Sequence, residues 1–187
     1  MRNSFYSISL TALLAGWIFS PAMATDYGYD GEVSSNVNRD RVISIAEDYA
    51  TIHYYVGPDN IDYSGYWGAT CPDPTTGWKT GMKYCWGGED STAHYLLRIE
   101  EGDGAGNKDT SGGSSYDQFC AGADCSGMAS NAWTSPRYST AGFPSISDDI
   151  TYEQLRMGDC TNKAGSHIRV FDYFVDDINT IMHYEST

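Results

Sequence analysis

Hydrophobic positions open the chain as one unbroken run, "LTALLAGWIF", and become periodic only later. With Arg2 ahead of it and "SPAMA" behind, residues 1–24 have the charge, length and small-residue ending of a secretory signal peptide cleaved after Ala24. The run is too short to span a bilayer. Residues 25–38 follow as a polar leader carrying Gly, Ser and Asn, expected to be flexible. The first helical period lies in "NRDRVISIAEDYATIHYY", where Asn38 can cap and Val42, Ile45, Ala46 and Tyr49 recur on one face. This predicts an amphipathic helix of about three turns packed on the core.

Periodicity then lapses. From Gly57 to Lys83 the chain carries Gly, Pro, Asp, Thr and aromatics in no regular order, which predicts an irregular insertion. A second insertion is expected over about 89–123, where "EEGDGAGNKDTSGGSS" reads as an exposed loop whose acidic spacing does not match an EF-hand. The pattern tightens again in "GADCSGMASNAWTS": Asp124 is a good N-cap, and Met128, Ala129, Ala132 and Trp133 form a helical apolar face ending near Ser135 and Pro136. Cys125 therefore stands in the first turn of a helix. Finally, "SHIRVFDYFVDDINTIMHYEST" alternates with period two and predicts two β-strands joined by a tight turn around Asp176 to Ile178.

Charge and cysteine count narrow the chemistry. With 25 acidic against 11 basic residues, a formal charge of −14, and no basic cluster, nucleic acid and anionic lipid surfaces are poor partners. The expected product is a soluble monomer outside the cytoplasm, secreted or periplasmic, with no membrane contact once the leader is removed. Five cysteines in an oxidising compartment suggest two disulfides and one free thiol. Pairing Cys71 with Cys85 would close the Gly/Pro-rich loop, and pairing Cys120 with Cys160 would leave Cys125 free. No close C-x-x-C spacing and only scattered histidines speak for zinc, so no metal is expected.

Unpaired N–H groups and the helix dipole favour a thiolate at Cys125, while the adjacent Asp124 carboxylate partly offsets them, so an imidazolium nearby would be needed. His167, at the start of the first predicted strand, is the candidate. His53 and His94 are given no role. If the hairpin pairs odd residues with odd, Val175 faces Asn179, Arg169 faces Glu185, and Glu185 lies diagonal to His167 at roughly 7 Å between backbones. His183 then falls opposite Phe171. Glu185 is the first choice for the group orienting His167 and His183 the reserve; a plain cross-strand ion pair between Glu185 and Arg169 is the competing reading.

Taken in order, "RDRVISIAEDYATI", "KYCWGG", "DCSGM", "GDCTNKAGSHIRVF" and the closing "YEST" resemble the NlpC-type, papain-like cysteine peptidases of bacterial cell-wall metabolism. The resemblance covers most of residues 39–187 as a single domain. It implies an α+β fold, with N-terminal helices packed on a small antiparallel β-sheet and two irregular loop insertions. It also implies that Cys125 is the nucleophile, His167 the general base, and Glu185 or His183 the orienting group. Tyr84, before W-G-G, would line the site and help hold the oxyanion, with Asp124 and Ser126 beside it. Family members cut amide bonds in peptidoglycan stem peptides as endopeptidases or amidases and need no cofactor. This chain departs from the family in Glu185 where histidine is commoner, Met128 for leucine, Ser166 for glycine, and about 35 residues between W-G-G and D-C-S-G.

Overall fold

The computed structural model of the chain describes residues 18–21, 29–32, 37–65, 68–109, 119–176 and 180–187. In chain order its first half holds strands β1 (Ile18–Pro21) and β2 (Tyr29–Glu32), helix α1 (Arg39–Thr51), strands β3 (His53–Val56) and β4 (Gly77–Thr80), and helix α2 (Thr92–Glu101). The second half holds β5 (Gly104–Ala105), β6 (Cys120–Ala121), helix α3 (Cys125–Ala132), β7 (Asp148–Ile150), β8 (Cys160–Lys163), β9 (His167–Phe174) and β10 (Thr180–Tyr184). The fold is mixed α+β with small, mainly antiparallel sheets. Among the described residues no helix is long and apolar enough to cross a membrane.

Helix α1 starts as its sequence predicts. Asn38 accepts the Arg41 N–H at 3.2 Å, Asp40 sits in the first turn, and Val42, Ala46, Tyr49 and Ala50 bury one stripe. That stripe meets α3 and strands β9 and β10, joining Met128, Ala129, Trp133, Ile168 and Val170 in the main core. Each large side chain buried there contributes about 1.5–3 kcal/mol relative to exposure, so α3 and β9 are held rigidly against each other. The Trp133 indole N–H, bonded to the Gly158 carbonyl at 2.9 Å, and the Arg39–Asp159 ion pair at 2.7 Å fasten the same layers at their ends.

The principal sheet runs β1-β10-β9-β8-β2-β7, with every neighbouring pair antiparallel. Two of its strands come from segments expected to behave otherwise. Tyr29–Glu32, in the leader expected to be flexible, is a strand between β8 and β7, because those strands leave a gap whose backbone groups need partners. Ile18–Pro21, inside the segment read as a signal peptide, pairs with the outer edge of β10, whose backbone groups it partners.

The regions read as irregular insertions are also more ordered than expected. β3 and β4 form a hairpin whose inner face, Tyr54 and Val56, packs on Tyr95 and Ile99 of α2 in a second core. Helix α2 lies inside the second insertion, capped by Ser91, whose hydroxyl accepts the His94 N–H at 3.2 Å, and ended by Gly102 at φ 95°. Residues 110–118 of that insertion lie outside the described residues, as do Asp177 and Ile178 of the expected hairpin turn.

All five cysteines are free thiols, so the expected Cys71–Cys85 and Cys120–Cys160 disulfides are not formed. Burial separates them. Cys160 sits on β8 in the main core, whereas Cys120 pairs with Gly104 in the small parallel β5–β6 sheet. The Cys85 thiol donates to the Cys120 carbonyl at 3.2 Å.

Candidate active site

The nucleophile candidate is placed by two chain segments that fold around each other. Cys85 N–H donates to the Ala123 carbonyl at 3.2 Å, Asp124 N–H to the Gly88 carbonyl at 3.0 Å, and Asp90 N–H to the Gly122 carbonyl at 3.2 Å. Asp90, buried, accepts from the Gly122 N–H at 2.8 Å and pairs with Arg98 at 3.1 Å and His94 at 2.7 Å. "YCWGGED" thus wraps the turn "GADCSG". The glycine after Cys-Ser is required by distance: a methyl group on Gly127 would collide with the Gly88 carbonyl oxygen. With both positions reduced to backbone, α3 starts directly under the W-G-G loop.

Asp124 caps α3 by accepting the Gly127 N–H at 2.7 Å, which fixes Cys125 as the first helical residue. The same carboxylate accepts the Ser126 hydroxyl at 2.9 Å, the Gly87 N–H at 3.1 Å and Arg137 Nη2 at 2.6 Å; Arg137 Nη1 donates to Ser126 Oγ at 2.8 Å. Asp124 and Ser126 are therefore committed to one another and to Arg137, as a brace under the nucleophile. Arg137 went unremarked in the sequence. It reaches back because just past α3 and its C-cap Trp133 the chain passes through Thr134, a non-glycine residue at φ 52°, and turns through Ser135 and Pro136. Its positive charge offsets the Asp124 carboxylate, the one neighbour expected to oppose negative charge on Cys125.

The base candidate comes from β9. Pairing with β10 begins with Ile181 opposite Phe174 and Met182 opposite Tyr173, the opposite parity to that expected; Val175 N–H donates to the Thr180 carbonyl. A bulge between Met182 and His183 then shifts the register by one, placing His183 opposite Phe171 and Tyr184 opposite Val170. Beyond the bulge the parity is the expected one, and Glu185 swings under the start of β9. Its Oε2 is 2.6 Å from His167 Nε2 and accepts Arg169 Nε at 2.8 Å, so the orienting contact and the ion pair coexist. His183, wholly buried, holds Nε2 3.6 Å from the other carboxylate oxygen. It backs the carboxylate from the far side of the bulge.

With Nε2 on Glu185, the His167 ring has Nδ1 left over, and Cys125 is the other group that acts on the ring. Burial alone would push the His167 pKa down. Hydrogen bonds to Cys125 and Glu185, with the charges of both, outweigh it and raise the value to about 9. For Glu185 burial likewise favours the neutral acid, but the bond to His167, the nearby His183 ring and the Arg169 guanidinium hold the carboxyl well below its usual range. The result is a charged imidazolium between sulfur and carboxylate. The Cys125 side chain is buried, and its backbone N–H meets no acceptor among the described residues.

A cleft of about 360 Å³ lies beside this group, lined by Met82, Lys83, Tyr84, Lys108, Met128 and Glu185 among others. Neither Cys125 nor His167 forms its wall; they adjoin it through Glu185 and Tyr84. Burial, then the charges of Asp124 and Cys125, push the Tyr84 phenol far up, so its hydroxyl stays a donor at every working pH. Among the described residues no group of three or more His, Cys, Asp or Glu side chains is arranged to hold a metal ion. In comparisons with known proteins, no protein-family model, no curated protein and no solved structure matches this chain.

Proposed function

We propose that this chain is an exported thiol hydrolase of peptide amides, built on the papain-like arrangement of the NlpC-type peptidases and acting as a monomer on peptidoglycan stem peptides. One observation carries the reading: His167 is held by Glu185 at 2.6 Å, and the same ring is raised in pKa by Cys125, which stands at a helix start. An ordinary buried cysteine needs neither an oriented imidazole nor a carboxylate behind it.

The chemistry follows from those positions. Cys125 Sγ forms a bond to the amide carbonyl carbon while the π pair moves to oxygen. That oxyanion is met by the Cys125 N–H and the Tyr84 hydroxyl. His167 gives its proton to the nitrogen as the C–N bond breaks, and the amine leaves. Water then loses a proton to His167 and attacks the thioester; the C–S bond breaks, the acid departs, and Cys125 and His167 return to their starting state. No metal or organic cofactor is needed for these steps.

The test is digestion of purified bacterial wall peptides, with new amino groups located by mass spectrometry. The wild-type chain should release them. Cys125→Ala and His167→Ala should release none while keeping the same circular dichroism, and turnover retained in either variant would reject the assignment. Unchanged peptide binding with no turnover by the wild type would make the chain a binding module on the same fold.

A further inference from the structure

The outer face of the β3–β4 hairpin carries chemistry that the cysteine site does not use. Register puts His53 opposite Thr80 and Tyr55 opposite Trp78, so these four side chains share one face. The inner face is filled by α2, whereas here Trp78 is 67 % and Tyr55 53 % exposed. The rings are organised: His53 stacks on Trp78 at 5.0 Å between centroids with 6° between planes, and Tyr55 meets Trp78 edge-on at 5.7 Å. His53 Nδ1 lies 3.1 Å from the Thr80 hydroxyl, which fixes the outer ring. With His53 on one face of Trp78 and Tyr55 edge-on to it, about two thirds of Trp78 and half of Tyr55 still face solvent, an exposed aromatic patch of the kind that marks a binding surface.

We propose that this face is a sugar-binding platform for a neutral β-linked N-acetylhexosamine chain. Its four side chains include no carboxylate, lysine or arginine to pair with an ion, and the whole chain carries −14, which repels a polyanion. A pyranose ring offers what the face lacks: a flat C–H surface to lie on the rings, and rim hydroxyls for the Tyr55 and Thr80 oxygens. Position supplies the rest. Thr80 lines the cleft next to the dyad, and Gly81, Met82, Lys83 and Tyr84 continue its wall, so the platform and the cleft form one surface. A polymer whose sugar backbone bears peptide stems would lay the sugar on the hairpin and a stem in the cleft. The choice of N-acetylhexosamine rests on the wall-peptide reading; the stacking face does not.

The experiment is titration of the full chain with the N-acetylglucosamine tetramer, followed by calorimetry and by the Trp78 indole N–H resonance. A saturable shift of that resonance is expected. Trp78→Ala and Tyr55→Ala should weaken binding about tenfold or more, Trp78→Tyr should recover part of it, and Cys125→Ala should bind as the wild type does. Hydrolysis of a sugar-free stem peptide should be unchanged in Trp78→Ala, so loss of sugar binding and loss of catalysis are read separately. No binding by the wild type, equal binding by Trp78→Ala, or concentration-dependent dimerisation abolished by Trp78→Ala would overturn the proposal, the last by showing that a second copy covers the face.

Discussion

Replacing Glu185 by glutamine keeps the shape and an acceptor oxygen for His167 while removing the charge between His167 and Arg169. In the wild type the His167 pKa rises from an ordinary 6.5 to about 9, a differential stabilisation of the imidazolium of about 3 kcal/mol, shared between Cys125 and Glu185. The ring is mostly enclosed, so solvent screens little of it. Loss of the Glu185 charge should lower this pKa by about one to two units. Because the folded value is raised, its stabilising contribution is complete below about 6.5 and is lost as pH climbs through about 9. The alkaline limb of kcat/KM, where His167 can no longer protonate the leaving amine, should therefore sit near pH 9 in the wild type and about one to two units lower in Glu185→Gln. The assay is kcat/KM for a fluorogenic stem peptide from about pH 5 to pH 10, paired with urea unfolding at each pH. An unmoved alkaline limb in Glu185→Gln, with activity otherwise intact, would refute the view that this carboxylate sustains the charged ring.

Three further outcomes are expected from the same geometry. Gly127→Ala should cost about 1–3 kcal/mol in urea unfolding, although alanine is the better helix former, because its methyl meets the Gly88 carbonyl; an unchanged midpoint would show that the two segments part easily. Asp90→Asn leaves the enclosed Arg98 with Asp103 alone and removes the charge bound to the Gly122 N–H, so unfolding should be easier by about 3 kcal/mol. Arg137→Ala should lower kcat/KM by about tenfold to a hundredfold, with Arg137→Lys partly restoring it. Equal activity in all three forms would remove Arg137 from the brace.

Local signals were legible where a few neighbouring residues decide the outcome. Asn38 and Asp124 cap the helices they were expected to cap, and the stripe from Val42 to Tyr49 faces the core. The contact of His167 with Glu185 was also legible, but through a register only half as expected. Parity along a strand pair can be counted from sequence, whereas the bulge at Met182 and His183 answers to packing on both faces, with Phe171 and Ile181 filling one core and Tyr184 another. Helix α2 had its markers in Ser91 and Gly102, hidden by the polar composition around them. Arg137 had none. Its partners lie a dozen residues back, across a turn whose direction is set by Thr134 in a left-handed conformation that β-branched residues rarely adopt.

The order in which the site becomes complete has a consequence for the cell that makes it. Cys125 and its brace of Asp124, Ser126 and Arg137 come from the middle of the chain, but the carboxylate that charges His167 arrives with residues 180–187, tied down where the Ser186 hydroxyl donates to the Ala123 carbonyl at 2.7 Å. During synthesis, which runs from the N-terminus, every shorter chain carries the thiol without its oriented partner. If the proposed function holds, the oriented pair of His167 and Glu185 forms only as the β10 segment docks on β9.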